Sequence, residues 1–127
     1  MARGPKPREN ERTRLGRRGE ALAAEHLERG NMRVVDRNYT CRLGEIDIVA
    51  LDGRTLVFVE VKLRRGSFDP LEAVDQRKKA QITRVAFDYM LRRGLIGRPA
   101  RFDVVAVDGA TGACHHVVDA FDSTLEY

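Results

Sequence analysis

Two short strings, Gly44-Glu45-Ile46-Asp47-Ile48-Val49 and Phe58-Val59-Glu60-Val61-Lys62, set carboxylates and an ammonium among valines and isoleucines. Each reads as a strand buried on both faces. Burying an unpaired charge costs several kcal/mol per ion by rough measure, so these groups need partners, and a metal ion is one. Mg²⁺ takes oxygen ligands and keeps several waters. A carboxylate followed on the next strand by Glu-x-Lys is an arrangement that holds Mg²⁺ against a phosphodiester.

Asp52-Gly53 lies between the two apolar runs and signals a two-residue hairpin loop. With that pair as the loop, Leu51 faces Arg54, Glu45 faces Glu60, and Asp47 lies opposite Phe58, diagonal to Glu60. Alternation then places Glu45, Asp47, Glu60 and Lys62 on one face. Diagonal neighbours stand about 7–8 Å apart, a gap that two carboxylates can bridge with a cation between them. The other face reads Ile46, Ile48, Ala50, Val57, Val59 and Val61. Near the turn the charged face is itself apolar, with Val49, Leu56 and Phe58, so the charges collect at the far end of the hairpin, at the edge of a core.

The elements that must position these residues follow from periodicity. Thr13 to Arg29 predicts a helix, with Leu15, Gly19, Leu22, Ala23, His26 and Leu27 on one arc and Gly30 as its stop. Glu20 borders that stripe, and His26 lies inside it as a packed core histidine. Met32 to Asp36 predicts a short strand, and Arg37 to Leu43 a polar connection. The hairpin covers roughly residues 44–51 and 54–63. Gly66-Ser67-Phe68-Asp69-Pro70 breaks the chain, and Leu71 to Val74 reads as a turn of helix. A second helix spans Asp75 to Arg93, with Asp75 as N-cap and Ile82, Val85, Ala86, Tyr89 and Met90 on its apolar face. Lys78 sits on the core-facing side of its first turn, and Lys79 is not cleanly separated from it. Phe102 to Val107 and Cys114 to Val118 form a last strand pair. His115 and His116 alternate across their strand, so they cannot share one site. The order α-β-β-β-α-β-β implies an α/β fold, a mixed central sheet with helices packed on it.

Composition narrows the class. The 127 residues fit one core, and 43% hydrophobic content is ordinary for a soluble chain. No apolar run approaches the ~20 residues of a membrane span, and no leader is expected from the opening residues. Cys41 and Cys114 lie far apart without metal-site spacing, which fits reduced thiols in a cytoplasmic protein. The net charge is +4. Residues 1–18 carry seven basic and two acidic residues, while 19–127 sum to −1. Residues 1–12 therefore read as a basic, disordered tail before a single domain over 13–127. Inside that domain, Lys62-Leu63-Arg64-Arg65 and Arg77-Lys78-Lys79 form a basic rim suited to a polyanion.

The order of elements and five strings resemble the restriction-endonuclease-like, PD-(D/E)XK nuclease superfamily, whose core is αβββαβ. More specifically, the chain resembles the YraN-like family of small bacterial proteins, itself similar to archaeal Holliday-junction resolvases. The strings are Gly16-Arg17-Arg18-Gly19-Glu20-Ala21, Arg37-Asn38-Tyr39, Gly44 through Ala50, Phe58 through Lys62, and Arg101-Phe102-Asp103-Val104-Val105. The resemblance implies Asp47 and Glu60 as metal ligands, the Val61 carbonyl as a further one, and Glu20 as the first-helix glutamate. It implies Lys62 as the group that orients or activates the attacking water, and Gln76 or Lys78 as the second-helix polar residue. Ile46 stands where the superfamily's name places proline. Glu45 and Asp103 belong to the same pattern without an assigned chemistry.

The resemblance thus implies a Mg²⁺- or Mn²⁺-dependent endonuclease acting on nucleic acid, DNA foremost, with branched or damaged structures as candidate substrates. Arg64, Arg65, Arg77, Lys78 and Lys79 would meet its phosphates. A homodimer is left open. The competing reading is a nucleic-acid-binding module of recombination or repair that turns over poorly. A purely structural Glu60–Lys62 pair at a sheet edge would add only about 0–1 kcal/mol and leaves Asp47 unexplained.

Overall fold

The computed structural model describes residues 11–65 and 75–122. Helix α1 (Glu11–Arg29) is followed by β1 (Arg33–Cys41), β2 (Gly44–Asp52) and β3 (Thr55–Arg64). Helix α2 (Gln76–Arg93) then leads to β4 (Ala100–Asp108) and β5 (Cys114–Phe121). The tail through residue 10, the break at 66–70 and the helical turn expected at 71–74 lie outside the described residues. No helix among the described residues is long and apolar enough to cross a membrane.

The five strands lie in the order β1-β2-β3-β4-β5. Only β3 and β4 run parallel, because a parallel neighbour needs a crossover and α2 supplies it. The sheet is therefore mixed α/β, compatible with a restriction-endonuclease-like αβββαβ core. One helix covers each face. Ala23, Ala24 and Leu27 of α1 pack on Ile48, Ala50, Val57, Val59, Val105 and Val107. Ile82, Val85, Ala86, Tyr89 and Met90 of α2 pack on Val49, Leu56, Phe58, Phe102 and Val104. Gly19 is buried where α1 meets β3, and a Cβ there would lie 3.3 Å from Leu63 Cδ1.

Helix α2 follows its sequence signals closely. The Asp75 carboxylate accepts the Lys78 N–H at 2.9 Å, and Gly94 ends the helix in the left-handed region at φ 67°. Two reciprocal bonds tie α2 to β1. Tyr39 donates to Asp88 at 2.6 Å and Tyr89 to Asp36 at 2.8 Å, with the two rings edge to face at 4.9 Å.

Four expectations are corrected. The loop of the β2–β3 hairpin is Gly53-Arg54, so Asp52 pairs with Thr55 and Val49 with Phe58; Gly53 takes the positive φ, 59°. The ladder ends at Ile48–Val59, so Glu45 does not pair with Glu60. The chain of β1 continues through Arg37–Cys41, in place of the expected polar connection. An edge strand keeps one side in water, so its polar residues do not forbid pairing. Ile46 joins the α2-side cluster while Ile48 joins the α1-side cluster, so the strict alternation fails at Asp47. His26 is exposed rather than packed, with its ring edge-on to His116 at 6.4 Å. Cys41 and Cys114 are free thiols on different strands.

Candidate metal centre

Asp47 sits where β2 and β3 part. The last backbone pair of that ladder joins Ile48 to Val59. Beyond it the Val61 N–H donates to the Asp47 carboxylate at 2.8 Å, so a side chain replaces a strand partner at the opening. Within a strand the N–H and C=O of one residue point the same way, which turns the Val61 carbonyl toward the same gap.

Three carboxylates meet at this opening. One oxygen each of Glu20, Glu45 and Asp47 lie within 4.8 Å of one another. Glu20 comes from α1, and the Asn38 side chain bonds to it from β1. Asn38 holds the left-handed conformation, φ 55°. Burial pushes the Asp47 carboxyl up to about 7, with the Glu60 charge adding to the rise and the Val61 N–H opposing it. Burial raises Glu20 as well, against its bond to Asn38 and with the Glu45 charge reinforcing it.

A second group adjoins this one from β3 and α2. Glu60 is buried, and its Oε1 receives the Lys62 ammonium at 3.2 Å and the Lys78 ammonium at 3.7 Å. Lys62 is only 16% exposed, so its charge is largely withdrawn from water. The expected residues thus assemble in two halves, an acidic one of Glu20, Glu45 and Asp47 and a net-positive one of Glu60, Lys62 and Lys78. The donor set of the acidic half is all oxygen and carries like charges, which suits a hard divalent cation such as Mg²⁺ or Mn²⁺.

The comparison with known proteins decides the family. The sequence profile described as "Uncharacterised protein family UPF0102" matches residues 19–107, a stretch that holds all six of these residues. The chain belongs to the UPF0102 family. The UPF0102 protein GSU0650 of Geobacter sulfurreducens is 48% identical over 113 residues, covering 85% of this chain and 88% of the relative. A UPF0102 protein of Moorella thermoacetica is 50% identical over 98 residues, covering 76% and 82%. One of Ectopseudomonas mendocina is 44% identical over 114 residues, covering 86% and 95%. The YraN-like resemblance therefore holds at the level of the UPF0102 family.

The remaining candidates of this UPF0102 chain divide by position. Arg64 and Arg65 are exposed at the end of β3, where the Arg64 carbonyl accepts the Gly109 N–H at 2.7 Å. Gln76 and Arg77 are exposed on the first turn of α2. Lys79 turns away from Glu60, its ammonium 5.8 Å from the Phe121 ring centre, which separates it from Lys78. Glu45 and Asn38 are the site residues to which sequence reasoning assigns no chemistry. Glu45 is legible as a neighbour of Asp47 on the same strand, whereas nothing local in Arg37-Asn38-Tyr39 points to a bond with Glu20.

Asp103 belongs to neither half. Its carboxylate has no exposure. It accepts from Arg101 at 3.1 and 3.3 Å and from the Asp119 N–H at 2.9 Å, and it meets His116 Nε2 at 2.7 Å. Burial alone would raise it, but the His116, Arg101 and Asp119 bonds together hold it below the usual carboxylate range.

Proposed function

We propose that this chain is a divalent-metal-dependent nuclease that hydrolyses phosphodiester bonds in DNA. The observation that carries the reading is the meeting of Glu20, Glu45 and Asp47 within 4.8 Å, next to a buried Glu60–Lys62 pair. Three carboxylates gathered this closely repel one another, which is a costly arrangement unless something positive is to be held there.

Glu20, Glu45 and Asp47 would hold Mg²⁺ or Mn²⁺, with Glu60 and the Val61 carbonyl beside them on β3. Such a cation polarises the scissile phosphate and lowers the pKa of bound water. The chain's own groups do the rest. The Val61 N–H fixes the Asp47 carboxylate at the strand opening. Glu60 fixes the Lys62 ammonium, which stands ready to offset negative charge as it grows on the phosphate. Lys78 meets the same Glu60 oxygen at 3.7 Å.

The same pairing favours a second reading. Glu60 Oε1 is already engaged by two ammonium groups, and in a nucleic-acid-binding module that turns over poorly it would stay so. One experiment separates the two. Purified protein is incubated with labelled linear, forked and four-way DNA in Mg²⁺, Mn²⁺ or EDTA. Metal-dependent cleavage should disappear in Asp47→Ala. It should fall by orders of magnitude in Lys62→Ala while metal binding, read by calorimetry, survives. Equal trace cleavage in wild type and Lys62→Ala marks contamination and leaves the binding module.

A further inference from the structure

The tip of the β1–β2 hairpin is Arg42-Leu43, the two residues between the paired Cys41 and Gly44. Leu43 is 48% exposed. Hairpin tips ordinarily carry Asn, Asp or Gly, because those residues accept positive φ. Here neither Arg42 nor Leu43 takes a positive φ, and Gly44 does, at 143°. The strained position is thus moved off the tip, which lets a bulky apolar side chain occupy it.

The tip is also held still. Gln81 of α2 donates to the Leu43 carbonyl at 3.3 Å. A Cβ on Gly44 would lie 2.8 Å from the Gln81 amide nitrogen, so the turn rests directly on α2. Between tip and helix runs an open groove of about 380 Å³, lined by Leu43, Asp75, Arg77, Lys78, Gln81 and Arg84. Asp75, the one acidic wall residue among the described residues, caps the Lys78 N–H. Among the described residues, Arg42, Arg77 and Arg84 make no ion pair. The groove adjoins the candidate centre through Lys78, which reaches Glu60, and through Leu43, which precedes Glu45 by two residues.

We propose that this groove carries the phosphate backbone of one DNA strand and that Leu43 is a wedge set between bases next to the cleavage position. The substrate is then a duplex already open or branched at that point. Apolar side chains inserted at a base step must unstack it, and the cost is least where the bases are already unpaired. Basic residues along the groove position the strand without reading sequence. The inference rests on the nuclease reading for its choice of DNA, and its test does not use cleavage.

The probe is a forked DNA with 2-aminopurine at the branch, compared with a linear duplex of equal length, both with full-length protein in EDTA. Wild type should bind the fork at least fivefold more tightly and raise the 2-aminopurine fluorescence. Leu43→Ser should keep duplex affinity and lose both the preference and the rise. Arg77→Ala with Arg84→Ala should weaken binding to both DNAs and lower the salt slope by about 2. Equal wild-type affinity for fork and duplex overturns the wedge, as does a Leu43→Ser protein that still prefers the fork. Metal-dependent cleavage that persists through such a failure leaves the nuclease reading standing. A wedge confirmed in a protein that never cleaves shows the opposite failure.

Discussion

Asp47 and Asp103 are both aspartates in inner strands of one sheet, the first half-buried and the second fully buried, and their surroundings could hardly differ more. Asp103 is enclosed by groups that favour its charge: the Arg101 fork, His116 and the Asp119 N–H. Arg101 also reaches Asp52 at 2.8 Å and so ties β4 to the end of β2. Asp47 has one backbone donor and is otherwise surrounded by the charges of Glu60, Glu20 and Glu45. One site uses its polar partners for stability. The other sets one backbone donor against three like charges, the arrangement the proposed cation site requires.

The largest expected effect is at Asp103. Asp103→Ala leaves Arg101 and His116 facing each other without the carboxylate that joins them. Breaking a buried pair by removing one partner costs about 3–5 kcal/mol, which should lower the melting temperature by roughly 10 °C or more. Metal binding, measured on whatever fraction stays folded, should be unchanged. A stable Asp103→Ala protein would mean that the network is ornamental and that the contrast with Asp47 is false.

Asp47→Asn should move stability the other way. The amide oxygen can still accept the Val61 N–H, while the repulsion with Glu60, Glu20 and Glu45 disappears. In EDTA near pH 8 the variant should be more stable than wild type by something on the order of 2 kcal/mol, and it should bind Mg²⁺ far more weakly. Urea denaturation of both proteins checks this. A destabilised Asp47→Asn would show that the acidic cluster is already balanced within the chain.

Much of this contrast is legible in the residues themselves. The stripe of Ile82, Val85, Ala86, Tyr89 and Met90 and the Asp75 cap place α2, and the helix between β3 and β4 implies the parallel pair. The hairpin register is not legible, since Asp-Gly is the stronger loop signal and the observed loop is Gly53-Arg54. The faces of β3 and of the turn-proximal half of β2 survive, because the slip moves each pairing by two residues in total and side chains alternate with that period. What escapes sequence reasoning is non-local. Ile46 leaves the expected face because Asp47 replaces a strand partner for Val61, fourteen residues away. His26 stands clear of the core with its ring toward His116 of the edge strand β5. The role of Asp103 depends on Asp119, which an irregularity in the β4–β5 pairing brings beneath it with φ 53°. No periodicity reports a contact of that kind.

The smallest effect, and the one that separates the two aspartates most cleanly, is in pH. Asp47 is raised to about 7 in the folded chain, against about 3.9 when unfolded. Its contribution is neutral below pH 4, where both states are protonated. It becomes destabilising as pH rises from 4 to about 7, and is constant above that. Asp103 is lowered, so its stabilisation is present above about pH 4 and is lost only as pH falls below that value. Between pH 4 and 7, therefore, the carboxylate that titrates is Asp47 and not Asp103. Subtracting the stability of Asp47→Asn from that of wild type at each pH removes the groups that do not interact with Asp47, so the difference reports Asp47 together with the carboxylates it repels. In EDTA the difference should grow more negative from pH 4 to 7 and then level off. Saturating Mg²⁺ should flatten it or reverse its sign, because a cation stabilises the charged form. A difference that stays flat from pH 4 to 8 in EDTA would show that Asp47 is ionised at its ordinary value. The repulsion between its neighbours would then be too weak to call for a metal.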